Sequence, residues 1–426
     1  MCDLTVWNLP KRLGFLVMAI FLFLSAAPLI VGVVPVLGDG MLAGYQALWN
    51  VVVVWTGEHV LGLAEPITVL PNGSGDTTWN YVQLFDTVML SLIVGSAWAL
   101  TDRRRPGYAA LHHGLRVVVR YGLAATMVMY GLIKVFKGQF PFPSLTTLTQ
   151  TYGESSPMGL AWNFMGYSTA YNLFAGGAEL LAGVLLLWRR TTTLGAIVAL
   201  GVTAHIVAMN FSYDIPVKLF SSTLLLMSIY LFADDLRRVV DALVLGRATS
   251  AAPLRPHFTG KRARVTRVVL KSAFVALLGV MAVALWNMSR EDGPDGPKPP
   301  LHGLYEVESF TLDGVVRPPL LTDERRWRHF IVEAYGFAVV RTMDSERDFF
   351  AIATDTDAHT IVLTNKRDGV STTYKFTYEQ PTPDRLVLHG SLASLPVDID
   401  LRKLDPNSFL LVHRGFRWVN EHPFNR

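Results

Sequence analysis

Cysteine is nearly absent from the sequence, which has Cys2 and no other cysteine in 426 residues. Disulfide frameworks, cysteine-ligated zinc and iron–sulfur clusters each need several cysteines, so the chain excludes all three. Thiol catalysis would have to come from Cys2 itself, close to the chain terminus. The sequence therefore offers no internal cysteine chemistry.

Charged residues are also scarce. Asp, Glu, Lys and Arg make up 17% of the residues and hydrophobic types 51%, and the mean hydropathy is +0.33. Ordinary soluble domains have about 25% charged residues, so this composition indicates a membrane protein. The net charge of +4 is not gathered on one soluble face, so we expect no nucleic-acid binding.

Seven apolar segments are long enough to cross a bilayer, which takes about 20 residues per helix. We predict spans at 13–37, 82–100, 115–136, 166–188, 192–211, 216–233 and 266–288. Basic residues precede the first span and then occupy alternate connections: Lys11, Arg12, Arg103, Arg104, Arg105, Arg189, Arg190, Arg237, Arg238 and the run PHFTGKRARVTR. The positive-inside rule then places the N-terminus in the cytoplasm, and the odd number of spans exports the C-terminus.

The first span has a second interpretation, because Lys11–Arg12, an apolar run and the small residues SAA resemble the parts of a cleaved signal peptide. Residues 38–80 are external in either case. They contain YQALWNVVVVWTGEHVLGL, which predicts an interfacial helix, and the turn-rich NGSGDTTWN. Asp76 in that turn is predicted to be a cap or turn residue, with ligand binding as the alternative.

The composition changes at SREDGPDGPKPP, which predicts a linker. Polar and apolar residues then alternate in short runs: YEVESFTL, HFIVEAYGFAVVRTM, FFAIATD, HTIVLTNK, TYKFTYEQ, DRLVLHGSL, VDIDLRKL and FLLVHRGFRWV. About eight strands with this period and turns such as KRDG predict an antiparallel, lipocalin-like β-barrel. Some outward-facing positions are charged, so we expect a soluble, extracytoplasmic barrel.

Ionisable residues inside spans are candidates for chemistry, because a charge at mid-membrane costs about 2.5–3.5 kcal/mol on insertion scales. Glu179 lies in the middle of the fourth span, in AGGAELLAG, whose small residues permit close helix packing. His205 lies in the fifth span, and Tyr130 and Lys134 share one face of the third. By the predicted topology, these residues belong to one half of the membrane.

The same level contains the stretch NFSYDIPVKL between the fifth and sixth spans. It predicts a tight external hairpin in which Pro216 starts the sixth helix and Asp214 caps it. Lys218 lies one turn inside that helix, near its positive end, so we expect it to pair with Asp214 or with Glu179.

Two interpretations of these residues stay open. In one, they form an ion-paired polar core that specifies helix packing. In the other, they line a pocket that binds an anionic or quinone-like ligand and passes protons. The second assigns catalysis to Glu179 and His205, and ligand binding to Tyr130, Lys134, Asn210, Tyr213 and Lys218. Transport is a third interpretation.

The stretch from about 115 to 235 carries YGLIKVFKGQFPFP, LAWNFMGYSTAYNLFAGGAELLAGVLLLWRRTTTLGA and NFSYDIPVKLFSSTLLLM in four spans. It resembles the DoxX family of bacterial membrane proteins, in a form extended by further spans and a β domain. The resemblance implies the bacterial inner membrane, a quinone cofactor and a redox partner subunit.

The predicted domains are 1–110 (two spans and the external loop), 111–240 (DoxX-like bundle), 241–290 (basic loop and seventh span), 291–300 (linker) and 301–426 (periplasmic or extracellular barrel).

His205 is the one histidine well inside a predicted span, and a transmembrane haem usually needs two, so no haem is expected. Two functions follow. The chain is either the quinone-binding subunit of a periplasm-facing oxidoreductase, or a non-catalytic envelope protein. In the second case its bundle, embedded in membrane lipid, anchors a barrel that binds a small apolar ligand or a partner protein.

Overall fold

The computed structural model describes residues 7–34, 37–70, 72–102, 105–249, 260–291, 293, 296–367 and 370–425. Several predicted features lie outside these residues: Cys2, Arg103, Arg104, positions 256–259 of the basic run, and parts of the linker and of the KRDG turn. The chain divides into a helical unit, Met1–Gln139 with Pro157–Asn287, and a barrel unit, Phe140–Ser156 with Met288–Arg426.

The helical unit contains, among the described residues, seven helices long and apolar enough to cross a membrane. They are α1 (Leu9–Val31), α3 (Thr78–Thr101), α4 (Ala109–Val135), α7 (Thr169–Leu186), α8 (Thr192–Ser212), α9 (Lys218–Leu243) and α10 (Lys261–Glu291). Each of the seven predicted spans overlaps one of them, so the prediction of a seven-span bundle is confirmed. The unit also contains α2 (Leu37–His59), the helix predicted in the external loop, and the short α6 (Pro157–Tyr167).

Local sequence sets several helix ends. Thr77 begins α3 with a capping box, in which its hydroxyl accepts from the Asn80 amide and the Asn80 side chain accepts from the Thr77 amide. Ser168 accepts from the Tyr171 amide at the start of α7. These caps satisfy amides that the helices leave unpaired.

The helix α9 starts differently from the prediction. It begins at Lys218, two residues after Pro216, and Asp214 does not cap it. Instead, the carboxylate of Asp76 accepts hydrogen bonds from the amides of Lys218 (2.7 Å) and Leu219 (3.0 Å). The prediction that Asp76 is a capping residue is therefore confirmed, but it caps a helix far along the chain. Asp214 is left in the left-handed region at φ 49°.

The barrel unit contains one antiparallel sheet. Its strands are β1 (Gly303–Leu312), β2 (Val315–Val316), β3 (Trp327–Val332), β4 (Phe337–Thr342), β5 (Arg347–Asp355), β6 (Thr360–Arg367), β7 (Val370–Thr382), β8 (Arg385–Leu392) and β9 (Leu395–Leu404). The short β2 pairs with β1, and β1 pairs with β3. The strands from β3 to β9 then pair in chain order, and β1 also pairs with β9 from Leu304–Leu404 to Leu312–Val397. Leaving aside the short β2, the pairing closes an eight-stranded barrel, as predicted.

Inward-facing side chains of the barrel pack against one another. Phe310, Phe330, Phe376, Ile399 and other residues of this cluster are almost fully buried. The interior is thus a packed core of aromatic and aliphatic groups.

The last predicted strand, FLLVHRGFRWV, is not a strand. Its first half forms the short helix α11 (Leu410–His413), and the residues that follow have no regular structure. The prediction was wrong because pairing of β1 with β9 closes the sheet and leaves no edge for another strand.

The segment Phe140–Ser156 belongs to the barrel unit, although it connects two membrane helices. It contains α5 (Leu145–Leu148) and a 3₁₀ turn at Tyr152–Glu154. Leu145 packs on an outer patch of the barrel formed by Leu304, Ile331 and Val339. We call Phe140–Ser156 the docking segment.

Polar contacts fix the docking segment on the barrel. The Glu333 carboxylate accepts from the Thr146 amide (2.7 Å) and from the Thr146 hydroxyl (2.6 Å). Arg341, which is 2% exposed, donates to the Thr149 carbonyl and pairs with Glu154 at 2.8 Å. A buried arginine needs such partners, so the docking segment completes this face of the barrel.

Candidate functional site

The helices α4 and α7 pack with their backbones in contact. A Cβ on Gly131 would lie 2.7 Å from the Leu180 amide nitrogen, and one on Gly176 would lie 2.8 Å from the Gly131 carbonyl oxygen. Gly183 faces the backbone of α4 in the same way, at 2.9 Å from the Val128 nitrogen. The small residues predicted to allow close packing around Glu179 do so, as in other membrane helix pairs.

This close approach brings together two of the predicted site residues. Lys134 Nζ donates a hydrogen bond to Glu179 Oε1, and their side chains are only 7% and 3% exposed. Tyr130 lies one turn before Lys134, and the ammonium is 5.9 Å from the centre of its ring. Of the two partners left open for Lys218, Glu179 is thus excluded, because it pairs with Lys134.

The Lys134–Glu179 pair leaves one hydrogen-bond acceptor unused. Within the described part of the chain, nothing donates a hydrogen bond to Glu179 Oε2, which is buried. A carboxylate with a free oxygen in an apolar surrounding can take up a proton, and the neighbouring lysine then loses its counter-ion. Glu179 Oε2 is thus the atom of the pair that is left for a further hydrogen-bond donor.

His205 and the residues near the end of α8 do not all join this pair. His205 lies on the exposed surface of α8 and interacts electrostatically with Glu179. Asn210 is buried and donates to Ser221 Oγ at 3.0 Å, which ties α8 to α9. Tyr213 is the C-cap residue of α8 and is 39% exposed.

Lys218 forms a second, separate cluster. Its ammonium donates to Asp214 Oδ1 at 2.8 Å and lies 3.9 Å from Asp76 Oδ2, so the predicted pairing with Asp214 is confirmed. The hydrogen bond from Lys218 holds the pKa of the exposed Asp214 carboxyl below its ordinary value. The predicted site is therefore divided into a buried pair in the membrane and a more exposed cluster at the helix ends.

A cavity of about 440 Å³ lies between α1, α2, α3 and α9, and we call it the interhelical cavity. Apolar groups of its wall are Phe21, Leu24, Trp79 and Phe220, and polar groups are Tyr45, Gln46, Asn80 and Gln83. Phe220 connects the cavity to the buried pair, since its ring centre is 6.2 Å from that of Tyr130.

Trp79 is the most informative residue of this cavity. It is 7% exposed, and no described residue accepts a hydrogen bond from its buried Nε1. A buried indole N–H usually has a partner. The wall of the cavity thus includes a tryptophan whose N–H has no partner among the described residues.

Sequence reasoning missed three groups. Trp79 belongs to the turn-rich NGSGDTTWN, where only Asp76 was considered as a site residue. Asp86 in α3 has a buried Oδ2 without a hydrogen-bond partner among the described residues, and Arg120 in α4 is 8% exposed. Both charges lie inside predicted spans, so the criterion that identified Glu179 would have found them.

Comparison with known proteins identifies a relative for part of the chain. A stretch of 131 residues is 37% identical to the uncharacterized protein YwoB of Bacillus subtilis (strain 168). The aligned stretch covers 30% of this chain and 82% of YwoB. No family model matches the chain, and no solved structure matches it, so the resemblance to DoxX stays a prediction. Over that stretch, the chain belongs to the protein family of YwoB.

Proposed function

We propose that the chain is the quinone-binding membrane subunit of an oxidoreductase in the bacterial inner membrane. The observation that carries the proposal is the unbonded indole N–H of Trp79 in the wall of the interhelical cavity. The resemblance of 115–235 to the DoxX family also supports a quinone-binding role.

The residues present fit a quinone ring. The cavity volume of about 440 Å³ is within the range of about 300–1,000 Å³ typical of small-molecule sites. Aromatic side chains can pack on a ring, and Trp79 Nε1 can donate to a ring oxygen. A bound quinone supplies two-electron redox chemistry, which the described side chains lack.

The buried pair has a supporting role in this proposal. Phe220 in the cavity wall and Tyr130 beside Lys134 link the pair to the cavity. Glu179 would hold or release a proton at its unbonded Oε2, and Lys134 would fix the orientation of the carboxylate. Glu179→Gln protein that still folds, at lower stability, is then expected to have lost proton-coupled activity.

Identification of bound small molecules by mass, in protein purified in mild detergent, tests the proposal. Trp79→Phe removes the donor, and Thr223→Phe fills the cavity that Thr223 lines. Both variants are expected to lose the quinone found in the wild type. Trp98→Phe and Ile229→Phe, at exposed positions of α3 and α9, are the matched controls and should keep it. A wild-type preparation without quinone, or equal quinone content in all variants, would refute the proposal.

We infer that the N-terminus is cytoplasmic and the barrel periplasmic or extracellular. The basic connections support this through the positive-inside rule. The barrel unit adds a second argument. Its two segments, Phe140–Ser156 and Met288–Arg426, must lie on the same side of the membrane. The four candidate spans between them return the chain to that side.

Cysteine labelling tests this topology. After Cys2→Ser the chain has no cysteine, so single cysteines can be placed at Gly153 in the docking segment and at Gly246 after α9. A membrane-impermeant maleimide should label Gly153→Cys in intact spheroplasts, and Gly246→Cys only after permeabilisation. The reverse labelling pattern would show that the orientation in the membrane is opposite to the one inferred.

A second candidate function is a non-catalytic envelope protein whose barrel binds a partner protein. The C-terminal stretch after α11 exposes Phe416 (78%) and Trp418 (91%), which suits a protein interface. The packed interior of the barrel favours a partner over a small ligand inside it. Cross-linking from Trp418→Cys should capture one defined partner, and Phe416→Ser should reduce that capture if this function holds.

A further inference from the structure

A second polar cavity lies at the opposite end of the helical unit and has no part in the proposed quinone site. Its volume is about 410 Å³. It is lined by His112, His113, Arg116, Val117, Arg120, Arg189, Thr192, Thr193, Leu231, Asp234, Asp235 and Arg238. We call it the arginine cavity.

The carboxylates of this cavity are already engaged. Asp234 pairs with Arg116, and His112 Nε2 lies 3.6 Å from the same carboxylate oxygen. Asp235 accepts from Arg238 at 2.6 Å and from the Thr193 hydroxyl at 2.6 Å. Across the described ranges of the chain, no carboxylate pairs with Arg120 or Arg189. The cavity therefore has an excess of positive charge.

Arg120 is the strongest sign of a missing ligand. It is 8% exposed, its Nη1 makes a long hydrogen bond of 3.4 Å to Thr192 Oγ1, and its buried Nε has no acceptor among the described residues. Its guanidinium carbon is 4.8 Å from the ring centre of Tyr121, which holds it in place. A buried guanidinium without a carboxylate is costly, so its retention indicates an anionic partner.

Neighbouring elements add further positive charge. Arg189 and Lys271 both interact electrostatically with Arg120, and Arg267 interacts with Arg189. Thr192 and Thr193 are the first residues of α8, whose N-cap Thr191 makes no side-chain cap. The amides that begin this helix of 21 residues thus point their partial positive charge at the cavity.

We propose that the arginine cavity binds a phosphate group, through Arg120, Arg189 and the first turn of α8. Guanidinium groups bind phosphate oxygens with two parallel hydrogen bonds, which a halide cannot accept in the same way. The phosphate belongs either to the headgroup of an anionic phospholipid or to a free phosphate-containing anion. Basic cavities between membrane helices on the cytoplasmic side suit lipid headgroups.

Native mass spectrometry of the full chain, released from detergent, tests the lipid source. Wild type and Arg120→Gln are incubated with phosphatidylglycerol or with phosphatidylcholine. Phosphatidylglycerol retention is expected to fall on the order of tenfold or more in the variant, because one charge-assisted contact is lost. Arg237→Gln is the matched control, since it removes the same charge from a side chain 95% exposed and outside the cavity.

Calorimetric titration of delipidated protein with inorganic phosphate tests the free anion. Binding that wild type and Arg237→Gln share, and that Arg120→Gln loses, assigns the site to a free phosphate. If Arg120→Gln does not fold, Arg189→Gln replaces it in both assays. Arg189 is half-buried and lies in the turn between α7 and α8. Equal lipid retention in wild type and in the folded cavity variant, together with no phosphate binding by wild type, would overturn the proposal. A failure of the quinone experiment would leave this result unaffected.

Discussion

The buried pair of Lys134 and Glu179 shows how one residue contact can decide both stability and chemistry. Each charge is costly in the membrane, and each is tolerated because the other is within hydrogen-bond distance. Removing one partner should therefore lower the stability more than removing both.

Lys134→Met and Glu179→Gln are each expected to destabilise the helical unit, with about 3–5 kcal/mol for loss of the lysine, because an uncompensated charge stays buried. The double variant Lys134→Met with Glu179→Gln should be more stable than Lys134→Met alone, because it leaves no buried charge. Thermal unfolding in detergent, analysed as a double-mutant cycle, measures the coupling. Additive effects would show that the two side chains do not interact.

His329 gives the barrel a defined response to pH. It lies on β3, is 8% exposed, and faces Arg341 across the strand pair. Burial, together with the positive charges of Arg328 and Arg341, lowers the pKa of its imidazole to about 4 from an ordinary value of 6.5. Between these two pH values the unfolded chain binds the proton and the folded barrel does not.

Barrel stability should therefore fall as pH drops through 6.5 and level off near 4. The loss between pH 7 and pH 5 is about 2 kcal/mol for this group. Thermal unfolding of wild type and His329→Phe across this range measures it, and the variant should lack this component. An unchanged pH dependence in His329→Phe would assign the effect to other groups.

Among the helices, the contact of α4 with α7 depends on glycine at named positions. Gly176 and Gly177 are adjacent, but only Gly176 faces α4, and a Cβ on Gly177 would meet nothing within 4 Å. The two positions thus form a natural pair of test and control.

Gly176→Ala should lower the stability of the helical unit by about 1–3 kcal/mol, because the new methyl group meets backbone atoms that must move apart. Gly177→Ala should be neutral or stabilising by up to about 1 kcal/mol through helix propensity. Differential scanning fluorimetry in detergent compares the two. Equal effects would mean that α4 and α7 do not touch at Gly176.

The period and length of the apolar segments were enough to predict the spans and the β domain, and the cost of a charge inside a span was enough to select Glu179 as a candidate. They could not predict contacts between distant segments. The cap that Asp76 gives to α9 and the partner of Glu179 both depend on helix rotation, which apolar sequence leaves undetermined. The prediction of a strand at FLLVHRGFRWV was wrong because it too depended on a contact between distant segments. Only the pairing of β1 with β9 shows that no sheet edge is left for this strand.

In the molecule as a whole, the barrel is built from two distant parts of the sequence. Residues 288–426 alone would expose Leu304, Ile331 and Val339 and leave Arg341 and Glu333 without their partners. The docking segment also lies outside the barrel domain predicted from sequence, because nothing in its composition distinguishes it from an ordinary membrane connection.

Residues 288–426 expressed alone are expected to aggregate, whereas the same residues fused through a flexible linker to 140–156 should be soluble and unfold cooperatively. Size-exclusion chromatography and thermal unfolding compare the two, with a fusion carrying a scrambled segment as control. If 288–426 alone folded with the same stability, the docking segment would be dispensable for the barrel.

The docking segment also sets an order of events during synthesis. It leaves the ribosome before α7, α8, α9 and α10, and long before β9, which closes the barrel. Until β9 is made, the docking segment has no completed barrel on which to pack. A chain interrupted before β9 would keep Leu145 and Thr146 exposed. Its docking segment would then be a site at which cellular proteases could cleave the incomplete protein.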